Sequence, residues 1–377
     1  MTVVHSSQIL RQSTDTIFST ILSRGDHDEI FITAQPLAHE CLDALLIRVA
    51  HAILALQAQP VAMTVLTTGV DPQRAQQTLN NILGGISFPI TWLISEASGG
   101  NQPVGVEVRA LRGCPVRPIY LHGRVVGSVW EDAHARHCEL GDLRALDTQR
   151  SPAAQTRAVL NDMSAALAQA GMTFAQVYRT WYRNRAILSW YDDFNRVRTE
   201  MFRQWRVFDG LLPASTGISA DNPYGAALVA GLWATQAKTP EVRAYTVASP
   251  LQDPATDYGS SFSRAVEVDQ RDHRRITISG TASIDKLGHT AHVGDIHAQV
   301  ALIMRVVHAI LTARGMDWTD VTRGLAYFRH AQAQSAFAQW CQTHVVAPMP
   351  IIVCNHTVCR DDLLYEIELD ALTMTPG

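Results

Sequence analysis

Apolar and polar residues follow two different periods along this chain. The clearest helical stretch has apolar residues at i, i+3, i+4 and i+7 spacing: Val300, Ile303, Met304, Val307, Ile310 and Leu311. This pattern is typical of a helix with one buried face. Near the C-terminus the period is two, with Leu363, Tyr365, Ile367 and Leu369 facing one way and Leu364, Glu366 and Glu368 the other. That alternation predicts a strand, and the mixture of periods predicts an α+β protein.

The pattern repeats within the chain. Residues 154–185 align without gaps on residues 298–329, and "RVAHAIL" (48–54) matches "RVVHAIL" (305–311) at six of seven positions. Similarity at long separations is the mark of duplicated structural units. We therefore predict that one α+β unit occurs three times.

Each predicted unit has a long helix, an apolar strand, a second helix and a last strand. Gly171 and Gly315 are placed to end the long helices. We predict ββαβαβ-like units at 1–115, 116–250 and 251–377, the first of them degenerate and without a clear leading hairpin. Three such units indicate a pseudo-threefold arrangement, with sheets inside, helices outside and pockets between neighbouring units.

Composition narrows the function classes. The 377 residues carry a net charge of −4, so no basic surplus indicates a nucleic-acid or membrane partner. The N-terminus lacks a signal pattern, and we find no run of about 18 apolar residues that predicts a membrane span. The six cysteines form no CxxC pair, so neither a zinc site nor a disulfide framework is predicted. We expect a cytoplasmic protein with reduced thiols.

Two histidine-rich stretches, "HTAHVGDIH" (289–297) and "HARHC" (134–138), have spacings that metal sites also use. Neither matches a known metal-binding motif. We interpret both as loops that precede the long helices, with Asp295 as an N-cap, and predict no metal site.

The unit pattern resembles the RidA/YjgF family, whose fold is chorismate mutase-like and whose trimers bind ligands between subunits. In that family a closing E-I-E strand carries a functional glutamate at its first position, which here is Glu366. The family's carboxylate-binding arginine would lie near residue 351, but this chain has Ile351. This departure makes a RidA-like imine deaminase an alternative only.

Residues from about 115 to 374 resemble the chorismatases, enzymes built from tandem RidA-like units. The similar motifs, in order, are "LPASTGIS" (212–219), "YGSSFSRAVEV" (258–268), "ISGTASID" (278–285), "TAHVGD" (290–295) and "VCRDDLLYEIE" (358–368). The resemblance implies cleavage of chorismate without a cofactor. Pyruvate would leave, and the ring product would be 3-hydroxybenzoate or, alternatively, a dihydroxycyclohexadiene carboxylate. A non-catalytic metabolite-binding module is a further alternative. We expect a monomer, because the three units already supply a trimer-like arrangement.

Cleaving an enol ether requires a proton at its terminal methylene carbon, and a carboxylic acid in a poorly solvated pocket can deliver it. We predict that Glu366 is this acid; an exposed strand glutamate is the alternative. The corresponding strand of the first unit has Gly105 at that position, while Glu107 matches Glu368. The repeat itself therefore does not require an acid at Glu366. The resemblance associates Cys359 with benzoate formation, although a small buried residue is an equal alternative.

Chorismate carries two carboxylates, which arginine binds well. We favour Arg264 and Arg329, then Arg198, while Arg179 and Arg185 are also candidates with surface roles as their alternative. Other predicted substrate contacts are the small or hydroxyl-bearing residues of "PASTGI", the helical Tyr191, and the small residues of "SGTAS": Ser215, Thr216, Gly217, Gly280 and Ala282. Ala282 is a candidate product determinant and leans towards the diene diol.

Overall fold

The computed structural model describes residues 7–14, 16–96 and 102–375. Unit one consists of β1 (Gln8–Thr14), β2 (Ile17–Ser23), β3 (Asp28–Ala34), α1 (Leu42–Ala55), β4 (Gln59–Thr67), α2 (Pro72–Leu83), β5 (Ile90–Ile94) and β6 (Pro103–Arg112). Its leading strands β1 to β3 form the hairpins that the sequence pattern did not reveal.

Units two and three repeat this order. Unit two consists of β7 (Arg117–Leu121), β8 (Arg124–Glu131), β9 (Ala135–Leu143), α3 (Pro152–Gln169), β10 (Val177–Asn184), α4 (Tyr191–Gln204), β11 (Ala214–Ser219) and β12 (Leu228–Ala237). Unit three consists of β13 (Arg243–Val247), β14 (Ala265–Asp269), β15 (His273–Ala282), α5 (Ile296–Ala313), β16 (Val321–Phe328), α6 (Ser335–Thr343), β17 (Ile351–Asn355) and β18 (Tyr365–Met374).

All three sheets have the same topology. In each, the spatial order is first, second, third, sixth, fourth and fifth strand. The fourth and fifth strands are parallel and joined by the second helix, and the other neighbours are antiparallel. The predicted α+β fold of three similar units is therefore confirmed.

The sheet pairing also shows where unit three begins. Strand β13 pairs with β14 through partners such as Arg243 and Asp269, so the third sheet starts before the predicted boundary at residue 251. Residues 248–264 connect these two strands and carry most of the "YGSSFSR" motif.

A separate apolar core lies between the helices and the sheet of each unit. In unit three the buried stripe of α5, including Val300, Ile303 and Val307, packs on β15 and β18. This helix has 18 residues and a mean hydropathy of 1.5, so length and composition alone would let it cross a membrane. The sequence pattern did not anticipate that property, and 44% of the helix is buried within the fold.

The predicted ends of the long helices are confirmed. The Asp295 carboxylate accepts the Ala298 N–H at 3.0 Å and caps α5. Gly171 and Gly315 follow α3 and α5 with φ of 70° and 67°, a backbone conformation that glycine adopts without strain.

The units meet cyclically around a pseudo-threefold axis. The fifth strand of each unit contacts the third strand of the next: β5 with β9, β11 with β15, and β17 with β3. Buried ion pairs join the inward faces of different units, including Arg109 to Glu139 at 3.3 Å and Arg275 to Glu29 at 2.7 Å. Pockets can therefore form at three equivalent interfaces.

One of the two predicted histidine loops is wrong. Residues 135–138 of "HARHC" lie on β9, because the Asp132 carboxylate accepts the N–H groups of His134 and Ala135 and forms the turn that ends there. His137 is buried there, with Nδ1 3.1 Å from the Thr235 hydroxyl. The other stretch does precede α5. Among the described residues, no three His, Cys, Asp or Glu side chains are grouped to hold a metal ion.

Candidate active site

A cavity of about 70 Å³ lies at the interface of units two and three. Helix α4 contributes Tyr191 and Arg198 to its wall, and β11 contributes Ser215 and Gly217. Strand β15 contributes Gly280 and Ala282 from the opposite unit. The remaining wall comes from three connecting segments and the start of β18: Tyr258, Ser260, Phe262, Arg264, Ile284, Cys359, Arg360, Leu363 and Glu366.

The structure gathers most of the predicted site residues around this cavity. Seven of the nine line it: Glu366, Cys359, Arg264, Arg198, Tyr191, Gly217 and Ala282. They come from both units, so folding brings together residues up to 175 positions apart in sequence (191 to 366). The remaining two, Thr216 and Arg329, have different positions.

Thr216 supports the cavity wall from behind. Its hydroxyl oxygen accepts the Gly280 N–H at 3.0 Å and an Arg179 N–H at 2.8 Å. It therefore joins β11 of unit two to β15 of unit three. Its predicted contact with the substrate stays a prediction, and its hydroxyl also holds the two walls together.

Arg329 lies outside the cavity, contrary to its predicted role as a substrate ligand. Its guanidinium donates to the carbonyl and side-chain oxygens of Asp361, the latter at 2.9 Å. The chain turns away after β16, so this side chain reaches the outer side of the segment that carries Cys359 and Arg360. Arg185 is also at the surface, 3.4 Å from Asp221.

Glu366 is buried at the cavity wall, with 4% of its surface exposed. On β18 it pairs with Ala282 on one side and with Tyr327 on the other. Burial and, to a smaller extent, the nearby Glu368 charge raise the pKa of its carboxyl to about 8, against the opposing effect of Arg179. At neutral pH the side chain is therefore mainly a protonated acid that can give up a proton.

Close packing fixes the position of this carboxyl. A Cβ at residue 280 would lie 2.0 Å from Glu366 Oε1 and 3.1 Å from Thr216 Cγ2. Only glycine leaves room for the acid at this point of β15. The need for glycine at position 280 of "SGTAS" is thus explained by the Glu366 carboxyl, which packs against its Cα.

Glu368 faces the same side of β18 but lies in the charged interior. Its two oxygens accept hydrogen bonds from Arg179 at 2.8 Å, Arg323 at 2.8 Å and the Trp181 indole at 2.9 Å. Burial alone would raise its pKa, but the arginines hold the pKa well below the usual range. The two glutamates therefore differ in protonation, one kept as an acid and the other as a carboxylate.

Cys359 and Tyr191 face each other beside the acid. Their side chains are in hydrogen-bond contact, and Cys359 is close enough to Glu366 for the carboxylate charge to affect its pKa. Burial raises the pKa of the Cys359 thiol to about 12, and burial likewise raises that of the Tyr191 phenol. Both groups are therefore neutral near pH 7 and act as hydrogen-bonding groups rather than as a thiolate or phenolate.

Three arginines provide positive charge to the cavity. Arg198 is 2% exposed and Arg264 is 5% exposed, and within the described chain Nε of the first and Nη2 of the second have no hydrogen-bond partner. Arg198 also donates to Asn195 Oδ1 at 2.8 Å, and Arg264 to the Asp253 carbonyl at 3.0 Å. Arg360 is the third. With Glu366 protonated, these groups suit a ligand that carries two negative charges.

Sequence reasoning did not single out several lining residues, namely Tyr258, Ser260, Phe262, Ile284 and Arg360. Most lie within the quoted motifs "YGSSFSR" and "VCRDD", which was the available signal. Arg360 is held by its hydrogen bond to the Gly288 carbonyl, and the Tyr258 ring lies 5.3 Å from the Arg264 guanidinium carbon. The first of these contacts joins two segments 72 residues apart in sequence.

Comparisons with known proteins place these observations in context. The chain is 27% identical to the 3-hydroxybenzoate synthase of Streptomyces hygroscopicus over 241 residues, 56% of this chain and 68% of that protein. A crystal structure of a chorismatase matches 83% of this chain and 93% of its own, with a TM-score of 0.62 and 19% identity. A RidA structure from an Antarctic Psychrobacter matches 34% of this chain and 98% of its own, with 18% identity and a TM-score of 0.29. No family model matches the chain. The likeness to the chorismatase family therefore holds in sequence and in fold.

Proposed function

From this likeness we propose that the chain is a chorismatase, which cleaves the enolpyruvyl ether of chorismate and releases pyruvate. The observation that carries the proposal is the pairing of Glu366, a buried acid whose pKa is raised to about 8, with three arginines around one cavity. The named relative, a 3-hydroxybenzoate synthase, supports the same reaction class.

Substrate binding follows from the charges. Chorismate is a dianion, and the free N–H groups of Arg198 and Arg264 point to two separate carboxylate contacts, with Arg360 as the third cation on the wall. The small residues Gly217 and Ala282 leave the space between them for the ring. Glu366 stays neutral and does not repel the anion.

The proposed chemical step begins with Glu366. Its carboxyl gives a proton to the terminal methylene carbon of the enol ether, which makes a methyl group and leaves an oxocarbenium ion beside the new carboxylate. Water can capture that ion, which yields pyruvate and a ring diol. Capture by the neighbouring ring hydroxyl instead opens a route to 3-hydroxybenzoate, which together with pyruvate accounts for every atom of chorismate.

We propose 3-hydroxybenzoate as the product, because of Cys359 and because of the named relative. The neutral Cys359 thiol and Tyr191 hydroxyl occupy the wall beside Glu366, where they can restrict water and hold the ring hydroxyl. Ala282 favours the diene diol by resemblance. The ultraviolet spectrum of the product decides between them, since the aromatic acid and the cyclohexadiene absorb differently.

The test is incubation of the purified protein with chorismate and measurement of pyruvate. We expect release by the parent protein and a loss of about 10²–10⁴-fold in Glu366→Gln, which keeps the shape but cannot give up a proton. Glu200→Gln is the control, because Glu200 lies on the exposed side of α4 in an ion pair with Arg157. Absence of pyruvate with the parent would refute the function, and full turnover by Glu366→Gln would refute only the role of the acid.

The alternative RidA-like deaminase has no comparable support. The position that would need a carboxylate-binding arginine is occupied by Ile351, and both Ile351 and Ile352 are buried in apolar clusters.

A further inference from the structure

The interface of units one and two contains a second cavity. Its volume is also about 70 Å³, the same as that of the pocket with Glu366. Met63 of β4 and Val229 of β12 form apolar parts of its wall, together with Trp181. A single water requires roughly 10–15 Å³ of such space, so a ligand of several heavy atoms fits.

Arg183 is an incompletely bonded cation in this wall. The residue is 6% exposed and lines the cavity at the end of β10. Within residues 7–14, 16–96 and 102–375, its Nε and Nη1 have no hydrogen-bond partner. Its ion pair with Glu368 is long, at 3.8 Å, and its guanidinium carbon lies 5.8 Å from the Trp181 ring centre. Buried N–H groups without an acceptor are costly, so an acceptor is expected in the adjacent space.

The other charges around the cavity are already paired. Glu107 accepts two hydrogen bonds from Arg323, at 2.9 and 3.0 Å, and Glu139 accepts one from Arg109 at 3.3 Å. Burial raises the pKa of both glutamates, which reduces their repulsion of an incoming anion. Glu368 is itself occupied by Arg179 and Arg323. Arg109 also has an Nε without a partner, but both of its terminal nitrogens are hydrogen-bonded to glutamates. Among the described residues around the cavity, Arg183 is thus the cation with the fewest hydrogen bonds and the one most open to a ligand.

We propose that this cavity is a second binding site, which takes a short-chain monocarboxylate. The carboxylate accepts hydrogen bonds from Arg183 of unit two, and Thr64 and Thr91 of unit one also line the cavity. The alkyl end packs against Met63 and Val229. This combination of an incompletely bonded cation with apolar walls favours a carboxylate with a short apolar group over a fully hydrated inorganic anion.

Fluorine NMR of trifluoroacetate, titrated with the full chain, tests the proposal. We expect saturable binding that weakens at least tenfold in Arg183→Met and is retained in Arg264→Met, which removes an arginine of the Glu366 pocket instead. Absence of binding would mean that the cavity holds only water. Loss of binding in Arg264→Met would place the anion in the Glu366 pocket. Either result overturns the proposal.

A second variant covers the case in which Arg183→Met does not fold. Val229→Met fills the space and leaves every charge in place, so we again expect affinity to fall at least tenfold. Unchanged affinity would contradict the site. Nitrate is the competitor that tests the ligand class: if it binds as tightly as trifluoroacetate, the assignment to carboxylates is wrong.

Discussion

Two interfaces have the same backbone arrangement, but one contains a cavity with an acid and the other is filled by apolar side chains. At the interface of units two and three, β18 presents Glu366 to a cavity. At the interface of units three and one, the corresponding position of β6 is Gly105, because Leu66 pairs with Gly105 as Tyr327 pairs with Glu366. The neighbouring fifth strand differs in the same way, with Thr216 at one interface and Ile352 at the other.

The side chain of Ile352 occupies the space that the acid uses elsewhere. A Cβ on Gly105 would lie 2.6 Å from Ile352 Cδ1, and Ile352 belongs to a buried apolar cluster with Leu66 and Leu93. Two strand positions therefore decide whether an interface is a packed core or a reactive pocket. The backbone supplies three such interfaces, and the side chains select one of them for chemistry.

The largest effect on stability is expected from two glutamates. Glu368 lies two residues after Glu366 on β18, and Glu107 lies two residues after Gly105 on β6. In Glu368→Gln the buried Arg179 and Arg323 lose a carboxylate, so the free energy of unfolding should fall by about 3–5 kcal/mol. Removing this like charge also lowers the pKa of Glu366, so pyruvate release should decline at a lower pH than in the parent. Denaturant unfolding and the pH dependence of turnover measure the two effects.

Glu107→Gln is the matched control, since it also removes a partner of Arg323. It should destabilise the protein without moving the pH at which turnover declines, because the pKa of Glu366 depends on Glu368 and Arg179. Equal shifts in the two variants would show that Glu368 has no special effect on the acid.

Adding one methyl group at the two interfaces should give different outcomes. In Gly280→Ala the new Cβ meets Glu366 Oε1 at 2.0 Å, so the acid must move and kcat/KM should fall about a hundredfold. In Gly105→Ala the clash is with Ile352, and we expect a stability cost of about 1–3 kcal/mol with kcat/KM nearly unchanged below the melting temperature. Steady-state kinetics and thermal unfolding of both variants measure this, and full activity in Gly280→Ala would contradict the described geometry.

The sequence pattern was informative wherever a period was strong. The 18-residue stripe of α5 and the alternation in β18 predicted both elements, and the register of β18 correctly put Glu366 and Glu368 on one face. It did not show that one acid faces a cavity and the other an arginine cluster, because Arg179 and Arg323 come from two different units. Protonation depends on these distant neighbours.

Residues in connecting segments were harder to place. Arg329 was predicted as a carboxylate ligand, but the turn after β16 points it to Asp361. Arg360 was not predicted, yet the Gly288 carbonyl holds it at the cavity. Likewise, the sequence near Ile351 showed that the carboxylate-binding arginine is missing, but not that Ile352 packs against Gly105 of a neighbouring unit. Such contacts between units do not produce a periodic pattern of apolar residues, so the sequence does not reveal them.

The smallest expected effect is the loss of unfolding free energy with rising pH that Glu366 causes on β18, where β6 has Gly105. The pKa of Glu366 is about 8 in the folded chain and 4.5 in its ordinary state. Between these values the folded protein binds a proton that the unfolded protein does not, so stability is lost as pH rises. Relative to Glu366→Gln, the parent should lose about 1.4 kcal/mol of unfolding free energy from pH 6 to pH 7. Denaturant unfolding of both proteins at the two pH values measures this difference, in which the other titrating groups cancel.

Glu200→Gln is the control and should lose the same unfolding free energy as the parent. If Glu366→Gln and the parent lose equal amounts, Glu366 is already ionised in the folded state.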